Sequence, residues 1–279
     1  MRYKRRPMTQ IPFIKMHGAG NDFVVIDNRE GGYALTPPQV KALSQRRLGV
    51  GCDQLVMIET AKDGGDIFMR LYNQDGGEIG ACGNAARCIG WWYMQQSGAE
   101  KAAIETASGV VSSSKSDDGR IRVEMGEPKL DAESIPLSER RNTEHLGIAE
   151  GPLMDPAAIN MGNPHMVFFV RELDKINMGQ LGSRLEHHKL FPEGANVSAV
   201  QVVDQYRVKQ VVWERGAGLT LACGTAACAA VVAGGKRGLL SKKVTVELPG
   251  GELDIHWRDD NQVEMTGPVA VVFEGIVTL

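Results

Sequence analysis

The sequence predicts an α/β (α+β) chain built from two similar copies of one fold. Three observations support this prediction: many short β-branched runs between turn residues, few helical stretches, and a duplicated sequence word. The chain has 279 residues, and single cores usually divide beyond about 250 residues, so two domains are expected. Hydrophobic residues make up 43% and charged residues 23%, which is typical of a globular protein and argues against disorder.

The strands are predicted in chain order from short apolar or alternating runs. Residues 11–28 are expected to form an opening hairpin. Further strands are expected within residues 64–74, 120–126, 166–170, 198–203, 206–214, 243–250, 253–257 and 262–267. Residues 1–9 are expected to fray, residues 112–119 to form a hairpin tip, and residues 138–145 to form a loop.

Three stretches are predicted to be helical. The first lies within residues 36–47, where Thr36 is the expected N-cap before two prolines. The other two helices begin at Cys82 and Cys223. Both are apolar on nearly every face, which indicates burial in a core instead of a position at the surface.

The duplicated word is the most informative feature of the sequence. Residues 81–86 read ACGNAA and residues 222–227 read ACGTAA, five identities in six at an offset of 141 residues. Three further pairs keep an offset of 141 or 142 residues: Asn21 with Asn163, Gln54 with Asn196, and Asn73 with Glu214. Coincidence among Gly- and Ala-rich words explains a single match, but not four in register. We expect two copies with pseudo-twofold symmetry, which brings the same part of each copy to a shared cleft.

Each copy of the word places a cysteine where a buried helix begins. The first amides of a helix lack intrahelical acceptors and the helix dipole favours negative charge there, so a lowered thiol pKa is expected. The glycine after each cysteine lets a carboxylate approach these amides. Two such thiols suit inversion of a stereocentre next to a carboxylate, because a thiolate removes the α-proton and a thiol opposite returns one. No metal, pyridoxal or other cofactor is required.

Composition and charge exclude several other classes of protein. The formal charge of −3 and the pI of 6.1 argue against nucleic acid or an anionic membrane as a partner. Apolar runs stay short of the roughly 20 residues that span a bilayer. The five cysteines are an odd number, with spacing unlike a disulfide framework or a zinc site. We expect a reduced, soluble, cytoplasmic protein whose partner is a small-molecule substrate.

Several separated motifs resemble the diaminopimelate epimerase family: KMHGAGNDFVVID, NQDGGE, ACGNAARC, GNPH, GANV and ERG before ACGTAAC. The resemblance runs from about residue 11 to the C-terminus. It implies an isomerase that epimerises LL-2,6-diaminopimelate to the meso form without a cofactor, in lysine and peptidoglycan-precursor synthesis. It also implies a homodimer and two domains, residues 1–127 with 269–279 and residues 128–268, each a curved, mostly antiparallel sheet around a central helix.

The resemblance also implies roles for individual residues. Cys82 and Cys223 match the two catalytic cysteines, and His165 and Glu214 match groups that tune the thiols. The residues at substrate-binding positions are Asn21, Gln54, Asn73, Gly83, Asn84, Asn163, Asn196, Glu214, Arg215, Gly224 and Thr225. These residue types suit a substrate with an ammonium and a carboxylate at each end, because amides donate and accept while arginine grips a carboxylate with two hydrogen bonds.

The chain departs from the family pattern at a few positions. A serine often found in the family is replaced within Asp75-Gly76-Gly77, and glycines are replaced by Ala85 and Ala226. Phe273 stands where many members have a tyrosine at a dimer contact, so one hydrogen bond between subunits is in doubt. The two cysteines of the repeated word are unaffected.

Structural and functional alternatives remain open at this point. A buried cysteine is commonly inert, and Cys52, Cys88 and Cys228 are expected to be structural. An asparagine beside glycine is commonly a turn residue. A proline or hydroxyproline racemase of the same fold predicts fewer polar groups for a distal amino-acid end. A thiol redox or metal-binding module predicts CxxC or zinc spacing, which the sequence lacks.

Overall fold

The computed structural model describes residues 9–279, so the fraying expected for residues 1–8 lies outside the described residues. The described chain divides into two compact units: residues 9–18, 22–121 and 269–279 form the first, and residues 19–21 and 122–268 form the second. The domain limits at 127/128 and 268/269 stay a prediction. No helix in the described chain is long and apolar enough to cross a membrane.

The first unit combines a mixed sheet with helices α1 and α2. Its elements are β1 (Gln10–Gly18), β2 (Asn21–Asp27), α1 (Pro37–Ser44), β3 (Gln54–Glu59), β4 (Ile67–Asn73), β5 (Glu78–Ile79), α2 (Gly83–Ser97), β6 (Lys101–Thr106), β7 (Gly109–Lys115) and, from the chain's end, β19 (Ala270–Thr278). Strand β1 pairs with β2 and with β19, while β2 and β3 are parallel. The β3–β4, β4–β5 and β6–β7 pairs are antiparallel, and β4–β6 is parallel.

The second unit repeats this arrangement and has three more strands, of which β9 and β10 form a separate two-stranded sheet. Its elements are β8 (Ile121–Glu124), β9 (Ala149–Glu150), β10 (Leu153–Met154), β11 (Ala157–Asn160), β12 (Pro164–Val170), α3 (Met178–Leu185), β13 (Asn196–Asp204), β14 (Arg207–Glu214), β15 (Gly218–Thr220), α4 (Gly224–Lys236), β16 (Lys243–Leu248), β17 (Gly251–Trp257) and β18 (Val263–Gly267), with a 3₁₀ turn at Leu173–Lys175. The β12–β13 and β14–β16 pairs are parallel, and the other ladders that continue the sheet from β11 to β18 are antiparallel.

The predicted duplication is confirmed by the strand register. In the first unit Phe23 lies opposite Gln54, and 142 residues later His165 lies opposite Asn196. The β6–β7 pair Lys101 with Ser114 recurs at the same offset as Lys243 with His256. Because a one-residue slip turns every side chain to the other face of a sheet, equal registers place equivalent residues on equivalent faces.

Each unit is built around one buried helix. Helix α2 packs against β1, β6 and β7, and helix α4 packs against β11, β12, β13 and β17. Residues from Ala226 through Gly234 of α4 are all buried, as the apolar composition of the helix predicted. The mostly antiparallel sheet around a central helix, expected from the family resemblance, is confirmed in both units.

Several elements differ from the sequence prediction. Helix α3 was missed because it has only eight residues, two of them glycines, which are poor helix formers. Residues 112–115 belong to β7 and not to a hairpin tip, since they pair with β6. Thr9, expected to fray, exchanges two backbone hydrogen bonds of 3.0 Å with Leu279.

Candidate active site

Cys82 is the residue at which helix α2 begins. Its backbone is extended (φ −147°, ψ 119°), and its carbonyl oxygen accepts the first intrahelical hydrogen bond, from the Ala86 amide at 2.9 Å. The residue is half-buried. The following amides, Gly83 and Asn84, lie in the first turn, where a helix presents N–H groups to an anion. The predicted thiol at a helix start is therefore present in the first unit.

Gln54 and Asn73 lie side by side on neighbouring strands of the first unit. Gln54 begins β3 and Asn73 ends β4, and the two residues are opposite each other in the antiparallel ladder. Gln54 is half-buried, and within the described chain its Oε1 atom is buried without a hydrogen-bond partner. An unsatisfied buried acceptor is costly, so Gln54 is suited to receive a hydrogen bond from a ligand.

The turn after Asn73 is closed by two short-range hydrogen bonds. The Gly76 amide donates to the Asn73 carbonyl at 3.0 Å, and the Gly77 amide donates to Asp75 Oδ1 at 2.8 Å. Gly76 has φ +91°, and a Cβ there would lie 2.5 Å from the Pro37 carbonyl oxygen, so only glycine fits. The Asp75 carboxylate thus holds this turn.

A cluster of four charged side chains supports the start of β3. Lys15 Nζ lies 2.5 Å from Asp22 Oδ2 and also bonds the Gly51 carbonyl. Arg46 Nη2 bridges Asp22 Oδ1 at 2.7 Å and Asp53 Oδ1 at 2.6 Å. Although burial alone raises the pKa of Asp22, its hydrogen bonds and charge interactions with Arg46 and Lys15 hold that pKa well below its usual range. Since Asp53 precedes Gln54, the cluster fixes the backbone that carries Gln54.

Cys223 begins helix α4 in the second unit, as Cys82 begins α2 in the first. Its backbone is likewise extended (φ −126°, ψ 115°), and its Sγ lies 3.4 Å from Thr225 Oγ1. Only 5% of the residue is exposed. The expected lowering of its pKa is wrong: burial, reinforced by the charge of Glu214, raises the pKa of the Cys223 thiol well above its ordinary value. Cys223 is therefore a thiol at neutral pH in this structure.

The charged pair Glu214 and Arg215 lies at the end of β14. Glu214 Oε1 accepts a hydrogen bond of 2.5 Å from Thr220 Oγ1 on β15. Arg215 is exposed, and its Nη1 donates to the Glu193 carbonyl at 3.0 Å. Thr220 was missed in the sequence, because its contact with Glu214 depends on the β14–β15 register.

Asn196 supports this pair from the start of β13. Its Oδ1 accepts from the Arg215 amide at 2.9 Å, and its Nδ2 donates to the Pro164 carbonyl at 3.1 Å. The side chain is buried. One N–H of the amide group is left over from these two bonds. Asn196 therefore has a structural task in addition to the substrate contact predicted for it.

Asn163 and His165 flank the first residue of β12. His165 Nε2 lies 2.8 Å from Asn163 Oδ1. Because an amide oxygen can only accept, Nε2 is the ring nitrogen that carries the proton in this hydrogen bond. Burial, with the nearby charge of Arg215, lowers the pKa of His165 to about 3. His165 is thus neutral and brings no positive charge to a thiol. Its influence on a thiol stays a prediction.

Asn21 is the first residue of β2 and follows a tight turn; residues 19–21 belong to the second unit, and the rest of β2 belongs to the first. It is half-buried and is preceded by Gly20, which has φ +84°. A Cβ at Gly20 would lie 3.1 Å from Gly250 Cα and 3.2 Å from the Leu221 side chain, so the turn packs closely on the segment before Cys223.

The remaining cysteines fit the structural role predicted for them. All five cysteines are thiols in the structure. Cys52, Cys88 and Cys228 are each 0% exposed. Burial raises the pKa of Cys88 to about 12 and also raises the pKa of Cys52. Cys52 and Cys88 are therefore inert at neutral pH, in contrast to the half-buried Cys82, and Cys228 is out of contact with solvent.

The structure brings the predicted residues together within each unit. Gln54 lies beside Asn73 in the first unit, and Asn163 lies beside His165 in the second. The opposition of Cys82 and Cys223 across one cleft stays a prediction, as do the catalytic and binding roles. Besides Thr220, the sequence prediction missed Glu186, a buried acidic residue before β13.

Comparison with known proteins places these features in a family. The family model for diaminopimelate epimerase matches residues 13–130 and 157–272. A diaminopimelate epimerase from Acidiphilium cryptum is 48% identical over 264 residues, which is 95% of each chain. One from Phenylobacterium zucineum is 47% identical over 268 residues, covering 95% of this chain and 96% of that protein. Among solved structures, one described as a predicted epimerase from Pseudomonas aeruginosa has a TM-score of 0.70 at 16% identity and covers 96% of this chain and 99% of its own.

Proposed function

This chain belongs to the diaminopimelate epimerase family, and we propose that it interconverts LL- and meso-2,6-diaminopimelate by moving protons with two cysteine thiols. The observation that carries the proposal is the repeated Cys-Gly word, which begins a buried helix in each copy of the fold. The meso product serves lysine and peptidoglycan-precursor synthesis. The proposed reaction needs no cofactor, because thiols and helix amides supply the acid, the base and the anion stabilisation.

The two thiols enter the reaction in different protonation states. Cys223 is protonated at neutral pH because of burial and Glu214, so it is the proton donor in one direction. In that direction Cys82 removes the α-proton from the opposite face, and the roles exchange in the reverse direction. The first amides of α2 and α4 stabilise the charge that develops on the reacting carboxylate.

The polar groups near the ends of β3, β4, β12 and β14 bind the rest of the substrate. Glu214 accepts from an ammonium group, and Arg215 grips a carboxylate. The unpartnered Oε1 of Gln54 supplies a further acceptor. A proline or hydroxyproline racemase needs no such distal set, and the relatives named above support the diaminopimelate substrate instead.

The test is incubation of purified protein with LL-diaminopimelate in deuterated water, followed by chiral chromatography and mass spectrometry. We expect conversion to the meso form with solvent deuterium at the inverted carbon, since each thiol exchanges its proton with solvent. Proline and trans-4-hydroxyproline are the comparison substrates and should remain unchanged. Absence of conversion, deuterium-free product, or preferential turnover of proline would contradict the proposal.

We also propose that the protein is a cytoplasmic homodimer. Strand β19 leaves four large apolar side chains exposed: Val271, Val272, Phe273 and Ile276. Phe273 packs edge-on against Phe13, with ring centroids 5.9 Å apart. Such a patch favours burial against a second copy through apolar contact, without the hydrogen bond of a tyrosine. Light scattering should give twice the 30.3 kDa mass of the chain, and a monomeric mass would contradict the dimer.

A further inference from the structure

Glu186 is a buried carboxylate that the proposed mechanism does not use. It lies directly after helix α3 and is only 7% exposed. Its Oε2 accepts from the indole Nε1 of Trp213 at 2.7 Å, and its Oε1 accepts from the Gly216 amide at 2.8 Å. The exposed His187 has its Nε2 3.8 Å from Oε1, beyond hydrogen-bond distance. Burial removes the Glu186 carboxylate from water, and this desolvation costs free energy that the hydrogen bonds from its two uncharged donors must offset.

The two donors to Glu186 flank the charged pair of the candidate site. Trp213 immediately precedes Glu214, and Gly216 immediately follows Arg215. One carboxylate therefore holds both sides of the segment that carries Glu214 and Arg215. Hydrogen bonds to a carboxylate are about twice as strong as those between neutral groups. The two hydrogen bonds to Glu186 therefore restrain residues 213–216.

The surroundings of Trp213 make the indole a fixed anchor. A Cβ at Gly182 of α3 would lie 2.4 Å from Trp213 Cβ, so the tryptophan packs directly on the helix backbone. The loop that follows Glu186 is also tied down, because the Ala195 amide donates to the Glu186 carbonyl at 3.0 Å. Both partners of the indole hydrogen bond are therefore held in place.

The first copy of the fold has no corresponding carboxylate. The position 142 residues before Glu186 is Ser44, and the turn equivalent to residues 214–216 is Asn73-Gln74-Asp75. That turn carries no arginine and is held by its own Asp75, which accepts from Gly77. The buried carboxylate thus occurs in the copy whose turn carries the charged pair.

We propose that Glu186 is a positioning residue that holds Glu214 and Arg215 in the geometry required to bind the distal amino-acid end of the substrate. The inference rests on the proposed function. Glu186 itself touches no reacting atom, so its loss should weaken substrate binding more than the chemical step. In Glu186→Gln one acceptor becomes an N–H donor that faces either the indole N–H or the Gly216 N–H.

The experiment measures kcat and KM for LL-diaminopimelate in the wild type, Glu186→Gln and Glu172→Gln. Glu172 is an exposed glutamate in an ion pair with Lys175, so Glu172→Gln is a matched control for the loss of one charge. We expect the KM of Glu186→Gln to rise about 10- to 100-fold while kcat falls less than KM rises, as for loss of a hydrogen bond to a charged group. The control should match the wild type.

Trp213→Phe provides a second variant that keeps an aromatic ring beside Gly182 and removes the indole N–H together with the outer part of the indole that lies near Gly218. In this background the introduced glutamine no longer faces the indole donor, so Glu186→Gln should raise KM by a smaller factor than in the wild type. An active wild type in which Glu186→Gln changes only the melting temperature, or additive effects of the two substitutions on KM, would overturn the inference. An inactive wild type would overturn the proposed function, and the inference with it.

Discussion

Two equivalent segments, residues 44–54 and 186–196, lead into β3 and β13 in the two copies of the fold. Different kinds of interaction stabilise them. In the first copy Lys15, Asp22, Arg46 and Asp53 form a charged cluster. In the second copy the positions equivalent to Lys15 and Asp53 are Ala157 and Ala195, 1% and 0% exposed. Leu190 and Phe191, equivalent to residues 48 and 49, are each 2% exposed in the core. The same strand register thus persists although ionic contacts in one copy are replaced by apolar burial in the other. Register is set by the sheet, and the loops are free to diverge.

The largest expected effect tests whether both copies contribute to the chemistry. Cys82→Ala and Cys223→Ala should each lower the rate of LL-to-meso conversion by roughly 10³-fold or more, because each face of the substrate needs its own acid–base group. Cys88→Ala is the matched control, since this thiol is buried and inert, and it should retain activity. Appreciable turnover in either variant at residue 82 or 223 would show that one copy suffices.

A leucine in each copy tests the difference between the two segments directly. Leu190→Ala should cost about 2–5 kcal/mol, because it empties part of a packed core. Its counterpart Leu48 is 91% exposed, so Leu48→Ala should change the free energy of unfolding by less than about 0.5 kcal/mol. Urea unfolding measures both changes. Similar costs at both positions would mean that the two segments are held alike after all.

Removing one charge tests the ionic cluster of the first copy. Lys15→Met should lower the free energy of unfolding by about 3 kcal/mol, because Asp22 keeps a partly buried charge with one partner fewer. Urea unfolding at pH 7 measures the change. Lys175→Met, which breaks an exposed ion pair, is the control and should cost less than about 1 kcal/mol.

The pH dependence of stability gives an independent check on the same cluster. The pKa of Asp22 is lower in the folded chain than the roughly 3.9 of an unfolded aspartate, so its stabilisation is complete above about pH 4 and is lost as the pH falls below that value. In Lys15→Met the loss of stability on acidification should be smaller than in the wild type. An unchanged acid response would mean that Lys15 does not stabilise the ionised carboxylate.

The smallest expected effect is a difference in reactivity between the two thiols of the repeated word. Iodoacetamide at pH 7 should label Cys82 at least about tenfold faster than Cys223, because Cys223 is buried and its raised pKa leaves little thiolate. Labelling of each cysteine is followed by mass spectrometry of peptides, with and without diaminopimelate. Equal rates at residues 82 and 223 would refute the assignment of Cys223 as the protonated thiol.

The architecture was largely predictable because it is repeated. The word ACGNAA/ACGTAA and the matched asparagines identified two copies, and strong apolar character identified α2 and α4. Both signals are local in sequence or depend on a constant offset. The sequence did not predict helix α3, because its two glycines lower its helix propensity. Its stability comes from packing against β13, β14 and β15.

The repeated sequence words did not predict the difference in thiol electrostatics between the two copies. Cys82 and Cys223 occupy equivalent helix starts, but the second is buried and lies near a carboxylate where the first copy has Asn73. The helix N-terminus lowers a thiol pKa, and burial with a nearby negative charge outweighs it at Cys223. Asn196 shows the same limit, because its bonds to Pro164 and Arg215 join residues distant in sequence.

The pairing of β19 with β1 has a consequence for synthesis on the ribosome. The second unit includes no residue beyond 268, whereas the sheet of the first unit is complete only when β19, residues 270–278, has been synthesised. During translation the half encoded later therefore has all its strands first, and the half encoded earlier closes last, when its final strand leaves the exit tunnel.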